Sequence, residues 1–82
     1  MMIDSKTGER IVVLINDESG PYIRVSTWID ADELEDLLSG KYDVLYEMKT
    51  PEEFKADGGK EYYFGNAADP DKLQKILDDI HL

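Results

Sequence analysis

The chain contains no cysteine, which excludes disulfide bonds, thiolate metal ligands and a cysteine nucleophile. It has one histidine, His81, near the end of the last predicted helix. A fraying helix end would not hold a general base in fixed geometry, and the four serines have no other histidine to activate them. We therefore expect no catalytic residues and no enzymatic activity.

Long apolar segments are also missing. The longest run, Ile11–Ile15, is too short to span a bilayer. The segment Met1–Lys6 has neither the basic region nor the apolar region of a secretory signal. Together with the lack of cysteine, these features predict a cytoplasmic protein, in the host cytoplasm if the chain is viral.

Basic residues are scarce. Nine Lys and Arg face nineteen Asp and Glu, a net charge of −10, and no basic side chain lies between Arg24 and Lys41. Such a balance repels nucleic acid and anionic membranes, because both carry negative charge. We expect no direct contact with either, and a protein partner with a basic surface.

The patterns typical of metal and phosphate sites are incomplete. The pairs Asp30/Asp32 and Asp69/Asp71 do not continue into the alternating oxygen ligands of a calcium loop, and both are explained as helix starts. Gly58-Gly59-Lys60 leads into a predicted strand, whereas a phosphate loop leads into a helix. We expect no metal ion and no cofactor.

Hydrophobic residues make up 41% of the 82 residues, enough for one core, and we expect a single domain over residues 1–82. Ile11–Ile15 is continuously apolar, which predicts the most buried strand, with Val13 or its neighbours Val12 and Leu14 fully enclosed. Tyr22–Trp28 alternates in polarity and would form a hairpin with it.

The following segment has the pattern of an amphipathic helix. Asp30 and Glu33 are spaced as a capping box, and leucines at positions 34, 37 and 38 form an apolar stripe. Gly40 is placed to end the helix in a left-handed conformation. The pattern predicts a helix that begins at Asp30.

The remaining segments complete the predicted fold. A strand over Tyr42–Met48, a short helix after Thr50, a strand over Glu61–Gly65 and a helix that starts at Asp69-Pro70 follow in turn. The order is ββαβ(α)βα. It predicts an α+β domain with a mostly antiparallel four-stranded sheet and two main helices on one face.

Five acids crowd the first predicted helix, and no lysine is interleaved to form the usual i, i+4 pairs. A solvated face that keeps the protein soluble and a functional acidic surface are both consistent with this pattern. For the functional alternative, the aromatic side chains would add apolar anchors. The predicted partner-binding residues are Trp28, Asp30, Asp32, Glu33, Glu35, Asp36, Tyr46 and Tyr63.

In length and charge the chain resembles small phage-encoded inhibitors such as anti-CRISPR proteins, anti-restriction DNA mimics and uracil-DNA glycosylase inhibitor. The resemblance is confined to size and composition and involves no shared motif. It implies an inhibitor or decoy that blocks a basic, nucleic-acid-binding protein, with a defence complex as the candidate partner. The alternative is an adaptor, immunity or antitoxin-type subunit that binds by shape and aromatic contacts. The sequence is also consistent with a homodimer.

Overall fold

The computed structural model describes residues 1–79 and shows the expected small α+β domain with a four-stranded antiparallel sheet and two helices. The strands lie in the order β1-β2-β4-β3, so that β1 and β3 are the edges. His81 and the end of the last predicted helix lie outside the described residues. The elements are β1 (Leu14–Asn16), β2 (Gly20–Thr27), α1 (Trp28–Glu35), a π-helical turn (Asp36–Lys41), β3 (Glu47–Lys49), a 3-10 turn (Glu52–Phe54), β4 (Gly58–Tyr63) and α2 (Pro70–Asp79).

One face of the sheet carries the core. Ile23 and Val25 of β2 point to this face, and Tyr62 of β4 is paired with Ile23 in the antiparallel register. Both helices contribute to the same cluster, which places them on one side of the sheet as predicted. The fully buried large side chains are Met2, Ile23, Val25, Leu34, Leu38, Tyr62 and Leu77.

The prediction that Ile11–Ile15 forms the most buried strand is wrong. Only its last two residues belong to β1, which is an edge strand. Ile11 is buried, Val13 is half-buried and Ile15 is 61% exposed. The physical reason is that α2 reaches this part of the chain: the Val13 N–H donates to Oε1 of Gln74 at 2.8 Å, in place of another strand.

The predicted capping box at Asp30 and Glu33 is also wrong. Helix α1 begins at Trp28, and its N-cap is Thr27, whose Oγ1 accepts the Asp30 N–H at 3.3 Å. Asp30 is only 3% exposed. Its carboxylate accepts hydrogen bonds from the backbone N–H and the hydroxyl of Ser5, each at 2.7 Å. Asp30 therefore ties the N-terminal turn to α1 and does not start the helix.

The end of the first helix differs from the expected glycine closure. The chain continues from α1 into a π-helical turn, in which the Tyr42 N–H donates to the Leu37 carbonyl at 3.0 Å. The left-handed residue is Asp43, with φ 53°, and Gly40 does not have a positive φ. The wide turn leaves Leu38 buried, and the Leu38 carbonyl accepts the Val44 N–H at 2.7 Å.

The second half of the chain follows the predicted order with shorter elements. The strand expected over Tyr42–Met48 is reduced to β3, and the helix expected after Thr50 is a single 3-10 turn. Gly58 begins β4, so this strand starts earlier than expected. The helix start at Asp69 is confirmed, since its Oδ1 accepts the Asp71 N–H at 2.9 Å.

Candidate functional site: an acidic groove on helix α1

A groove of about 590 Å³ runs along the outward side of α1 and enters the π-helical turn. Its lining forms two rows at i, i+4 spacing, because residues four apart lie above one another on a helix. The end nearest the helix start is apolar, two carboxylates follow, and at the other end a third carboxylate lies beside a leucine. We call this surface the α1 groove; its residues are Trp28, Asp32 and Asp36 in one row and Ile29, Glu33 and Leu37 in the other.

The three carboxylates of the α1 groove are exposed and have no ion pair within residues 1–79. The described ion pairs use other acids, among them Asp57 with Lys6, Asp78 with Arg10, and Glu61 with Arg24. Within the described residues, the charge in the α1 groove is therefore not compensated by an ion pair, although basic side chains neutralise acids elsewhere on the surface.

Trp28 is the largest apolar group of the groove and is 63% exposed. Its backbone is held in place: the Trp28 N–H donates to the Asp57 carbonyl at 2.9 Å. Gly58 has φ +75°, and a Cβ there would lie 2.6 Å from the Trp28 Cβ, so only glycine fits. The indole thus projects outward from a fixed base.

The structure brings together four of the eight sequence-predicted site residues: Trp28, Asp32, Glu33 and Asp36. Asp30 is buried in its contact with Ser5. The remaining three, Glu35, Tyr46 and Tyr63, are held elsewhere by other contacts.

Glu35 belongs to the acidic run but faces the sheet. It is half-buried, and its Oε2 accepts the hydroxyl of Tyr62 at 2.8 Å. Tyr46 is half-buried and packs edge-on against the Tyr62 ring, with centroids 5.1 Å apart. Neither residue lines the α1 groove.

Tyr63 lies on the sheet face opposite the core, in a layer of side chains that stack or pair with one another. Its ring stacks on Tyr22 at 5.1 Å, and Lys49 Nζ lies 4.6 Å above it. Beside this stack, Arg24 lies over the ring of Phe54 at 4.7 Å and forms ion pairs with Glu61, at 2.9 Å, and with Glu53. The contact from Arg24 Nε to Glu61 is an ion pair without hydrogen-bond alignment.

Sequence reasoning missed Ile29 and Leu37 as members of the site. Ile29 is 54% exposed at the second helical position, and Leu37 is half-buried in the π-helical turn. The signal was present in the i, i+4 spacing of Ile29, Glu33 and Leu37. It was hidden by the assumption that the helix starts at Asp30, which places Ile29 outside it.

Displaced pKa values are found for Asp4, Asp78, Tyr62 and Tyr63, none of which lines the α1 groove. Burial raises the pKa of Asp4, but hydrogen bonds from Ser26, Thr7 and Lys6 outweigh it, and the pKa is below its usual range. The hydrogen bond from Arg10 lowers the pKa of Asp78. The pKa values of Tyr62 and Tyr63 are both raised. Burial is the largest cause, and the hydrogen bond to a glutamate is the second. Each of these groups is engaged in a contact that stabilises the fold.

Across residues 1–79, no group of His, Asp or Glu side chains is arranged to hold a metal ion. Within the same described part of the chain, no helix has the length and apolar character needed to cross a membrane. No protein-family model matches the chain, and neither a curated protein nor a solved structure matches it.

Proposed function

We propose that this protein is a non-enzymatic binding protein that docks its α1 groove onto a basic, nucleic-acid-binding surface of another protein and blocks it. The observation that carries the proposal is the combination of unpaired carboxylates and an exposed tryptophan in one groove. A solvated helix face needs the charge but gains nothing from an exposed indole, because exposed apolar surface is unfavourable in water.

The density of charge along α1 supports a decoy for nucleic acid. Asp32, Glu33 and Asp36 span four residue steps of α1 and the turn that follows it, or about 6 Å at a rise of ~1.5 Å per residue. The mean spacing between neighbouring negative charges is therefore about 3 Å, against about 1.7 Å per charge for B-form DNA. A basic groove that binds phosphates would find on this helix a row of negative charges with about half the axial density of DNA.

The net charge of −10 would act at longer range than the groove itself. Excess charge of one sign steers an oppositely charged partner and raises the association rate. The apolar side chains would then act at contact, since Trp is among the residues that contribute most when buried in an interface. Because the base of Trp28 is already fixed by Asp57 and Gly58, little ordering would be needed on binding.

A second candidate function is an adaptor, immunity or antitoxin-type subunit whose affinity comes from apolar contact. The exposure of Trp28 and Ile29 favours it. The two candidates differ in their dependence on salt. A decoy should lose affinity as salt screens its charges, whereas an apolar interface should change little.

The test compares three immobilised proteins in one lysate of the source organism. The first is the wild type. The second carries Asp32→Lys, Glu33→Lys and Asp36→Lys. The third is a matched control, with Asp17→Lys, Glu18→Lys and Asp71→Lys at exposed acids outside the groove. Three changes of two charges each take the net charge from −10 to −4 in both variants, so only the position of the charge differs.

Proteins that the wild type and the control retain, and the groove variant does not, are purified and assayed for nucleic-acid binding. The proposal expects at least one of them to lose a labelled DNA or RNA when the wild type is added. Equal retention by all three baits would contradict the proposal. Retention that survives the groove variant but is lost on Trp28→Ala would favour the adaptor.

A further inference from the structure

Within residues 1–79, the β1 edge is covered by a side chain only at its start, and the β3 edge is uncovered along its length. At the β1 edge, the Val13 N–H just before the strand is bonded to the Gln74 side chain of α2. At the β3 edge, no described side chain bonds to the backbone of Glu47, Met48 or Lys49. An uncovered edge offers free N–H and C=O groups on which another strand can pair. The β3 edge is thus available for a partner strand.

The register identifies which backbone groups are free. The Phe64 N–H donates to the Pro21 carbonyl at 3.2 Å, so these two residues form a hydrogen-bonded pair next to β2 and β4. Bonded pairs alternate in an antiparallel ladder, which directs the backbone groups of Tyr63 and Glu61 toward β3. Glu47 and Lys49 are their partners there. The N–H and C=O of Met48 therefore point away from β4, to the free edge.

The sequence Glu47-Met48-Lys49 is complementary to itself. If a second copy pairs antiparallel with Met48 opposite Met48, the two residues exchange both of their free backbone hydrogen bonds. Glu47 of each copy then lies opposite Lys49 of the other, and opposite charges in such cross-strand positions stabilise a sheet. From these features we infer that the protein forms a two-fold symmetric homodimer through β3, with one continuous eight-stranded sheet.

Exposed apolar side chains lie at the same edge. Met48 is 46% exposed and Leu45 is 89% exposed. In the dimer the two Met48 side chains lie side by side, and the same register would bring Leu45 opposite Pro51 of the second copy. Only three strand residues per copy are paired, so the interface is small and the dimer is a weak one. The inference uses neither the α1 groove nor its function.

Substitutions that exchange the charges of Glu47 and Lys49 test the inference. Sedimentation equilibrium is measured at protein concentrations up to about 1 mM in about 150 mM salt, conditions suited to a weak complex and moderate screening. Four proteins are compared: the wild type, Glu47→Lys, Lys49→Glu and the double exchange. Each single change places like charges opposite each other twice per dimer, and we expect the dissociation constant to rise about tenfold. The double exchange restores both opposite pairs and should restore the wild-type value.

Glu47→Lys separates this pairing from general repulsion between acidic molecules. The change moves the net charge from −10 to −8 and reduces repulsion between copies. Association governed by net charge would become stronger, whereas the β3 dimer becomes weaker. A wild type that stays monomeric to 1 mM, a tighter Glu47→Lys dimer, or a double exchange without recovery would each overturn the inference.

Met48→Pro gives an independent test of the backbone contact. Proline removes the Met48 N–H, which faces the free edge, and edge positions of this kind tolerate proline. We expect a folded monomer with an unchanged near-ultraviolet spectrum and no dimer at any concentration used. A folded Met48→Pro protein that still dimerises would overturn the inference. If this variant does not fold, the charge-exchange series decides the question.

Discussion

The outer sheet face and the α1 groove both display aromatic and acidic side chains, but they differ in whether basic side chains pair with the acids. On the sheet face, Arg24 pairs with Glu61 and Glu53, and Lys49 lies over the ring of Tyr63. In the α1 groove, the carboxylates have no described basic partner, and Trp28 is exposed. Self-satisfied side chains stabilise the monomer, whereas unpaired ones leave their interactions available to a partner.

The same contrast exists within the acidic run itself. Asp30 and Glu35 turn inward and accept hydrogen bonds from Ser5 and Tyr62, while Asp32, Glu33 and Asp36 face solvent. By charge alone, the five carboxylates of this run are equivalent. The structure separates two structural carboxylates from three that only a partner would neutralise.

Asp30→Ala should have the largest effect on stability. It removes the acceptor for the Ser5 N–H and hydroxyl, and hydrogen bonds to a charged group contribute about 1.5–3 kcal/mol each. For the two bonds together we expect the free energy of unfolding to fall by about 3–6 kcal/mol in urea titrations. Asp32→Ala is the matched control and should change it by less than about 0.5 kcal/mol. Equal losses in the two variants would remove the distinction between inward and outward acids.

Gly58→Ala should disturb the base of the α1 groove. A Cβ at this position would contact the Trp28 Cβ and would hold alanine at a positive φ, which costs about 1–2 kcal/mol before any clash. We expect a loss of about 2 kcal/mol in unfolding free energy and a shift in Trp28 fluorescence. Gly40→Ala is the control, because a Cβ there meets no atom within 4 Å. An unchanged emission spectrum in Gly58→Ala would show that Trp28 is not held in this way.

Tyr62→Phe should cost about 1 kcal/mol at neutral pH, because it removes the hydroxyl that Glu35 accepts. The loss of stability caused by Tyr62→Phe should become smaller at alkaline pH. Burial raises the pKa of Tyr62 above its unfolded value of about 10, so this tyrosine stabilises the fold fully below that pH and progressively less above it. At pH 11 the difference between the two proteins should fall by about 1 kcal/mol, measured by urea unfolding. A constant difference from pH 7 to 11 would contradict this assignment.

Neutralising the groove should have the smallest effect on stability. Asp32→Asn, Glu33→Gln and Asp36→Asn together relieve like-charge repulsion at i, i+4, which is worth roughly a few tenths of a kcal/mol. We expect a thermal midpoint equal to or slightly above that of the wild type. A clear loss of stability would mean that these carboxylates have structural partners, as Asp30 and Glu35 do.

The fold was predictable from the sequence to the level of element order. Alternation in Tyr22–Trp28, the leucine stripe of the first helix and the cap at Asp69 are local signals, and the structure agrees with them. The position of a strand within the sheet is not a local property. An apolar run such as Ile11–Ile15 can be covered by another strand or by a helix, and here Gln74 of α2 lies against it.

The candidate site was only partly predictable for a similar reason. Asp30 resembles a helix cap in sequence, but a contact with Ser5, 25 positions away, decides its role. In the structure the N-cap is Thr27, and its hydroxyl oxygen accepts the N–H of Asp30, three residues later. Because the predicted N-cap, Asp30, lies three residues after the observed one, Thr27, the prediction left Ile29 out of the site and included Asp30.

The most direct test of the central claim is the affinity of the wild type for a partner recovered through the groove, measured from about 50 to 500 mM salt. Screening lengths fall from above 10 Å to about 4 Å over this range. The account predicts that the affinity falls at least tenfold, mainly through a slower association rate, and that Asp32→Lys, Glu33→Lys and Asp36→Lys together abolish binding. The control variant with Asp17→Lys, Glu18→Lys and Asp71→Lys should still bind. An affinity that stays constant across the range, or that is equal in the groove and control variants, would contradict the account.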